Sequence, residues 1–176
     1  EGRAFLYHGS SAGPPTSPTW TAESNQDFAE FGYSVGTAGD VNGDGFSDVV
    51  IGAYGYDNGQ SDEGRVFVYH GSPSGLPASP SWRVESNQAS SGFGYSVATA
   101  GDVNRDGFSD LIVGAYLFDN GQTNEGRAFV YYGSASGLAA SPSWTAESNQ
   151  AISDFGISVA TAGDVNGDGF SDVIVG

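Results

Sequence analysis

The sequence predicts an all-β chain: a β-propeller of four-stranded antiparallel blades, with three blade-equivalents in 176 residues. Three observations predict it. The chain repeats every 62 residues, each repeat holds four short segments of strand character, and no segment offers ten residues at helical spacing with caps. A sandwich or stacked solenoid is the competing all-β arrangement, but 62 residues is long for one solenoid coil.

The repeat is read from Gly39-Asp40, Gly101-Asp102 and Gly163-Asp164. Residues 31–92 align with 93–154 without a gap, about three-quarters of them identical, while 1–30 match 63–92 and 155–176 match 93–114. This divides the chain into 1–30, the second half of a blade with strands three and four; 31–92 and 93–154, two full blades; and 155–176, the first half of a blade with strands one and two. The ends are thus complementary halves of one unit, short of a third whole period by the ten residues equivalent to 115–124. The expectation is a fragment of a larger propeller, or a homo-oligomer in which copies complete each other's split blades, because open strand edges are liabilities.

Within a unit the elements follow in order. "FGYSV" (31–35) alternates apolar with small residues; "DVVIGAY" (48–54) is a continuous apolar run suited to a strand buried on both faces. "GRVFVYHG" (64–71) is β-branched and aromatic, and "SWRVES" (81–86) alternates again after Pro80. "DNGQ", "SPSG" and "SNQAS" between them carry turn chemistry.

Composition bounds the function. The chain has 21 acidic and 5 basic residues, a formal charge of −16 and no cysteine. Nucleic acid and anionic membranes need a basic face, so neither is an expected partner. No apolar run approaches the roughly 18 residues of a membrane span, and no disulfide framework is possible.

The chemistry lies in "DVNGDGFSD", present three times with Arg105 replacing glycine once. Side-chain oxygens fall at relative positions 1, 3, 5 and 9, glycine at 6, and a backbone carbonyl is available at 7. Calcium takes six to eight oxygen ligands in flexible geometry, and an EF-hand loop supplies them at 1, 3, 5, 7, 9 and 12. Position 12 here is Ile51, Val113 or Val175, so the bidentate glutamate is absent and the expected site is a calcium loop in a β-hairpin. Candidate ligands are Asp40, Asn42, Asp44, Phe46 (carbonyl) and Asp48; Asp102, Asn104, Asp106, Phe108 and Asp110; and Asp164, Asn166, Asp168, Phe170 and Asp172. About one Ca2+ per repeat, three per chain, would bring the formal charge from −16 to −10. Without nitrogen or sulfur ligands zinc and copper are disfavoured, and magnesium wants stricter octahedral geometry. The opposing account is a set of Asx-turns with no ion.

The stretch "FGYSV…GDVNGDGFSDVVIGAY" resembles the FG-GAP repeat of integrin α-subunit propellers and of bacterial secreted proteins. The Phe-Gly signature is Phe31-Gly32, Phe93-Gly94 and Phe155-Gly156; Gly52-Ala53-Tyr54 and Gly114-Ala115-Tyr116 carry tyrosine where the family has proline. "GSxSGLxxSPxW" and "ESNQ" are similar to the bacterial branch. The resemblance implies a calcium role for the loops, an extracellular, secreted or cell-surface location, and a non-catalytic binding or adhesive function toward a protein or glycan.

The remaining features weigh less. Trp20, Trp82 and Trp144 recur once per unit, which favours packing between blades over a sugar platform. His8 and His70 alternate with Tyr132 at equivalent positions, which favours a structural role. A near-identical repeat offers no unique nucleophile or carboxylate pair, so no enzyme is expected. The resemblance places ligand contacts on the rim opposite the calcium loops, at Tyr54, Tyr56, Asp57, Asn58 and Gln60, and Tyr116, Phe118, Asp119, Asn120 and Gln122. A propeller lectin and a purely structural self-assembling module are the alternatives.

Overall fold

The computed structural model describes residues 1–176 as twelve strands with no helix. They are β1 (Arg3–Leu6), β2 (Trp20–Glu23), β3 (Ser34–Gly39), β4 (Asp48–Ala53), β5 (Arg65–Tyr69) and β6 (Trp82–Glu85), then β7 (Phe93–Gly101), β8 (Asp110–Ala115), β9 (Arg127–Tyr131), β10 (Trp144–Glu147), β11 (Val159–Gly163) and β12 (Asp172–Val175). They form four antiparallel sheets in chain order: β1-β2, β3-β4-β5-β6, β7-β8-β9-β10 and β11-β12. The full sheets are propeller blades, and β3, β7 and β11 lie beside one another.

Burial follows the sequence pattern. The apolar runs of β4, β5 and β8 are almost wholly buried, whereas β6 and β10, at the outer edges of their sheets, are half exposed. The expected first strand at 31–35 is displaced: β3 begins at Ser34 and runs on through Gly39. Its end is bulged, the register shifting between Thr37 and Gly39. Phe31 leaves the strand to sit buried at 5.2 Å, edge-on, from Phe67.

Blades meet through backbone and aromatic contacts. Gly52 and Gly114 lie against the carbonyl oxygens of Gly94, in β7, and of Gly156, just before β11, where any Cβ would collide. Ser34 and Ser96 donate their hydroxyls to those same carbonyls at 2.7 and 2.8 Å. Trp20 packs edge-on against Tyr69 of the following repeat at 4.8 Å, and Trp82 repeats this on Tyr131 at 5.2 Å. Such pairs contribute about 0.5–1.5 kcal/mol beyond their buried area. Trp20 Nε1 also donates to the Pro77 carbonyl at 2.9 Å, so Trp20 and Trp82 take the packing role expected of them, while Trp144 is exposed.

Candidate metal loops and the opposite rim

Residues 39–48, 101–110 and 163–172 join the first strand of a sheet to its second, which places all three acidic loops on one rim. In the first loop, Asp40 Oδ1 accepts from the N–H groups of Gly43 (2.7 Å) and Asp44 (3.1 Å), and Oδ2 from Gly45 (2.8 Å). Asn42 Oδ1 accepts from the same Asp44 N–H at 3.1 Å, so oxygens from positions 1 and 3 converge on one point. Asp44 Oδ1 accepts from Phe46 N–H and its Oδ2 from Asn42 Nδ2, both at 2.9 Å. Asp164, Asn166 and Asp168 repeat all these bonds around Phe170, and Asp102, Asn104 and Asp106 repeat them around Phe108 except the one from position 4, where Arg105 stands. Arg105 stands at the Gly43 position with φ of 60°, a conformation that costs a side-chain-bearing residue, and its guanidinium lies 6.0 Å from the Phe170 ring. It reaches across to the 163–172 loop, against Gly169, and forms no ion pair with a carboxylate there.

The carboxylate at position 9 is placed differently. Asp48 is fully buried and accepts from Val41 N–H at 2.9 Å and from Gly71 N–H at 2.8 Å, tying the loop to the end of β5. Asp110 does the same with Val103 (2.8 Å) and Gly133 (2.9 Å). Asp172 takes only Val165 N–H, at 2.8 Å. Burial pushes the Asp48 carboxyl up and carries Asp110 to about 6, against the pull of the two N–H donors. Asp164, fully exposed, is held below the usual carboxylate range, chiefly by the Gly169 N–H.

As the side chains stand, no three carboxylates of the chain gather around one point. Amide donors take their oxygens instead, which is the Asx-turn geometry. The donor set still fits a hard cation: it is all oxygen, it converges within one turn, and none of its carboxylates is paired with a basic side chain.

The opposite rim carries the ten residues considered for a ligand. Asn58 Nδ2 donates to Glu85 at 2.7 Å, and Asn120 Nδ2 to Glu147 at 2.9 Å. Gln60 clasps the backbone of Asn87 and Ala89, and Gln122 donates to the Asn149 carbonyl. Asp57 and Asp119 each accept within their own loops, from the N–H of Asp62 and Asn124 at 2.6 Å. Tyr56 lies under the Arg65 guanidinium at 4.0 Å and Phe118 under that of Arg127 at 5.1 Å. The amides offered to a ligand by the sequence are therefore already engaged in holding their own loops. Tyr54 and Tyr116 differ: with Tyr33 and Tyr95 they form a run of rings 4.5–5.4 Å apart. The Tyr33 and Tyr95 hydroxyls are 2.7 Å apart, and this bond leads the rise of the Tyr33 phenol to about 12.

Sequence reasoning missed three groups. Gln26 and Gln88 each grip the backbone of the next repeat, accepting from the N–H and donating to the carbonyl of Asp57 and Asp119 respectively. Glu63 and Glu125 are buried at the bases of the rim loops. Val41 is wholly buried against the following blade. The signal for the first lay in "ESNQ", whose glutamine recurs at fixed distance from the rim aspartate.

Blades joined through their first strands, with an acidic hairpin loop on one rim of each, define an integrin-like β-propeller repeat protein. FG-GAP repeats match residues 31–69, 93–131 and 155–176, and the chain belongs to this family. It is 37% identical to human integrin alpha-7 over 156 residues, 83% of this chain and 12% of that protein. It is 36% identical to mouse phosphatidylinositol-glycan-specific phospholipase D over 168 residues, 91% of this chain and 20% of that protein. Integrin alpha-PS2 of Drosophila melanogaster is 38% identical over 117 residues, 61% of this chain and 8% of that protein. The chain thus spans a fifth or less of the length of these relatives.

Proposed function

We propose that the chain is a calcium-binding, non-catalytic propeller module that works outside the cell in adhesion or ligand capture. The observation that carries the calcium reading is the convergence of Asp40 and Asn42 oxygens beside Asp44 in a loop without a basic partner, repeated three times. Asp40, Asn42 and Asp44 with the Phe46 carbonyl would hold the ion, with Asp48 closing the site from the strand end. The same roles fall to Asp102, Asn104, Asp106, Phe108 and Asp110, and to Asp164, Asn166, Asp168, Phe170 and Asp172. The ion would supply charge neutralisation and loop rigidity. Adhesion is supported by kinship to integrin α-subunits. A phospholipase D also shares the repeat, but three near-equivalent loops without a unique nucleophile support a non-catalytic part for this segment. The ligand is a protein or glycan, for which the run of Tyr33, Tyr54, Tyr95 and Tyr116 would offer aromatic surface, with Tyr33 its most exposed ring.

Thermal unfolding with and without EDTA tests the ion. An ion bound only by the folded state stabilises it by RT ln(1 + [L]/Kd), roughly 1.4 kcal/mol per loop at ten times Kd. With no bidentate glutamate, Kd is expected on the order of 10⁻⁴–10⁻³ M. Millimolar calcium should raise Tm and EDTA should lower it; a melt indifferent to both removes the metal from the account.

A further inference from the structure

Four phenols meet at the seam between the two full blades, on the rim opposite the acidic loops. Tyr33 and Tyr95 are repeat equivalents, the first just before β3 and the second inside β7, and Tyr54 and Tyr116 directly follow β4 and β8. β3 and β7 lie beside each other across this seam. Of the nine tyrosines in the chain, only these four touch another tyrosine ring. The repeat does not carry the pattern onward, because Ile157 stands at the equivalent place in the third unit.

Within the run the pairs meet in different ways. Tyr54 meets Tyr33 and Tyr95 edge-on, at interplanar angles of 74° and 63°, so the edge of one ring faces the plane of the other. Tyr95 and Tyr116 are tilted by 50° with centres 4.5 Å apart, and their hydroxyls share no hydrogen bond. Tyr33 and Tyr95 have ring centres 4.7 Å apart at a tilt of 44°, yet their hydroxyl oxygens are only 2.7 Å apart. These two rings therefore converge toward their hydroxyl ends, and the carbons ortho to the oxygens are the ring carbons drawn together. Tyr33 is 50% exposed, so the pair is open to a reagent in solution.

We propose that Tyr33 and Tyr95 form an oxidative cross-linking site, where hydrogen peroxide turned over by a haem peroxidase joins the two rings as dityrosine. Each phenol gives up one electron and its hydroxyl proton. The two phenoxyl radicals pair their unpaired electrons in one carbon–carbon bond between ortho positions. The hydrogens on those two carbons then move to the oxygens as protons, which restores both phenols. Two tyrosines and one H2O2 thus give one linked pair and two H2O. Tyr54 and Tyr116 widen the target, since a radical formed on either ring lies against Tyr95 and passes to it by taking an electron and a proton from an identical phenol. The product is a covalent staple between neighbouring blades. It restrains the unfolded chain as a disulfide closing the same loop would. It requires neither an ion in the acidic loops nor a ligand on the rim.

Treatment of the full chain with a haem peroxidase and hydrogen peroxide at dilute protein concentration, followed by intact-mass measurement and peptide mapping, tests the site. The single-chain product should be lighter by two hydrogens, show dityrosine fluorescence, yield one new peptide pair joining Tyr33 to Tyr95, and melt at a higher temperature than its parent. Tyr33→Phe and Tyr95→Phe keep the ring and remove the hydroxyl, so each should abolish the link with far-UV circular dichroism unchanged. Tyr54→Phe and Tyr116→Phe should retain it. No loss of two hydrogens, a link that maps to another tyrosine pair or joins two chains instead, a link that survives in Tyr33→Phe, or a linked chain that melts no higher than its parent overturns the proposal.

Discussion

Replacing Val41 by alanine isolates what the seating of one loop contributes to the blade seam. The side chain is wholly buried and belongs to the core cluster that includes Val50, Val68, Leu111, Tyr131 and Leu138. Two carbon centres leave the interior, a transfer loss of about 1.6 kcal/mol at ~0.8 kcal/mol each. The vacated space, roughly 50 Å³, adds up to ~1.2 kcal/mol if the walls stay fixed, so the total lies at about 2–3 kcal/mol. The same change at Val165, 72% exposed, should cost less than about 0.5 kcal/mol, and half-buried Val103 should fall between them. Urea unfolding followed by tryptophan fluorescence measures all three. The expected order is Val41, Val103, Val165, at constant m-value. Three equal losses would mean that the valine acts within its own loop, and would refute the seating of one blade's loop in the next.

Gln88→Ala removes a two-bond grip on the Asp119 backbone and should cost about 1–2 kcal/mol, with faster hydrogen exchange at the Asp119 amide while amides of β8 stay protected. Exchange unchanged at Asp119 would show the grip to be idle. Gly114→Ala places a methyl group against the Gly156 carbonyl, a backbone atom that cannot yield, so a loss of about 3 kcal/mol or failure to fold is expected by circular dichroism. A stable Gly114→Ala protein would mean that β8 and Gly156 lie farther apart than described.

The architecture was legible because the 62-residue period and the alternation within it are properties of the sequence itself. Four strands per unit followed from apolar runs bounded by turn residues, and the tryptophan packing followed from its recurrence. The first strand begins at Phe93 in the second full blade, as expected, but only at Ser34 in the first, although Phe31 and Phe93 dock alike on Phe67 and Phe129. The rim residues illustrate a second limit. Asn58 and Gln60 look the same in sequence whether their amides face a ligand or their own loop, and only the partners Glu85, Asn87 and Ala89 decide it. Those partners lie more than twenty residues away, beyond the reach of any local pattern.

The acidic loop gives neighbouring positions of one short motif separate tasks. Its oxygens occupy positions 1, 3 and 5 and point into the turn, which leaves position 2 to face elsewhere. In the first copy that position is Val41, and it faces the next blade. Position 9 does a third task, since Asp48 reaches back to the Val41 amide and across to Gly71 at the end of β5. The inward-facing oxygens, the knob between blades and the tie within a blade are thus set by different residues of one turn. Ordering the turn from its oxygen side orders the Val41 amide and carbonyl with it, and those two groups are what Asp48 and Ser134 hold. An ion in the loop would therefore stiffen the seam between blades without touching the neighbouring blade, a coupling that the short path from Asp40 to Val41 makes unavoidable.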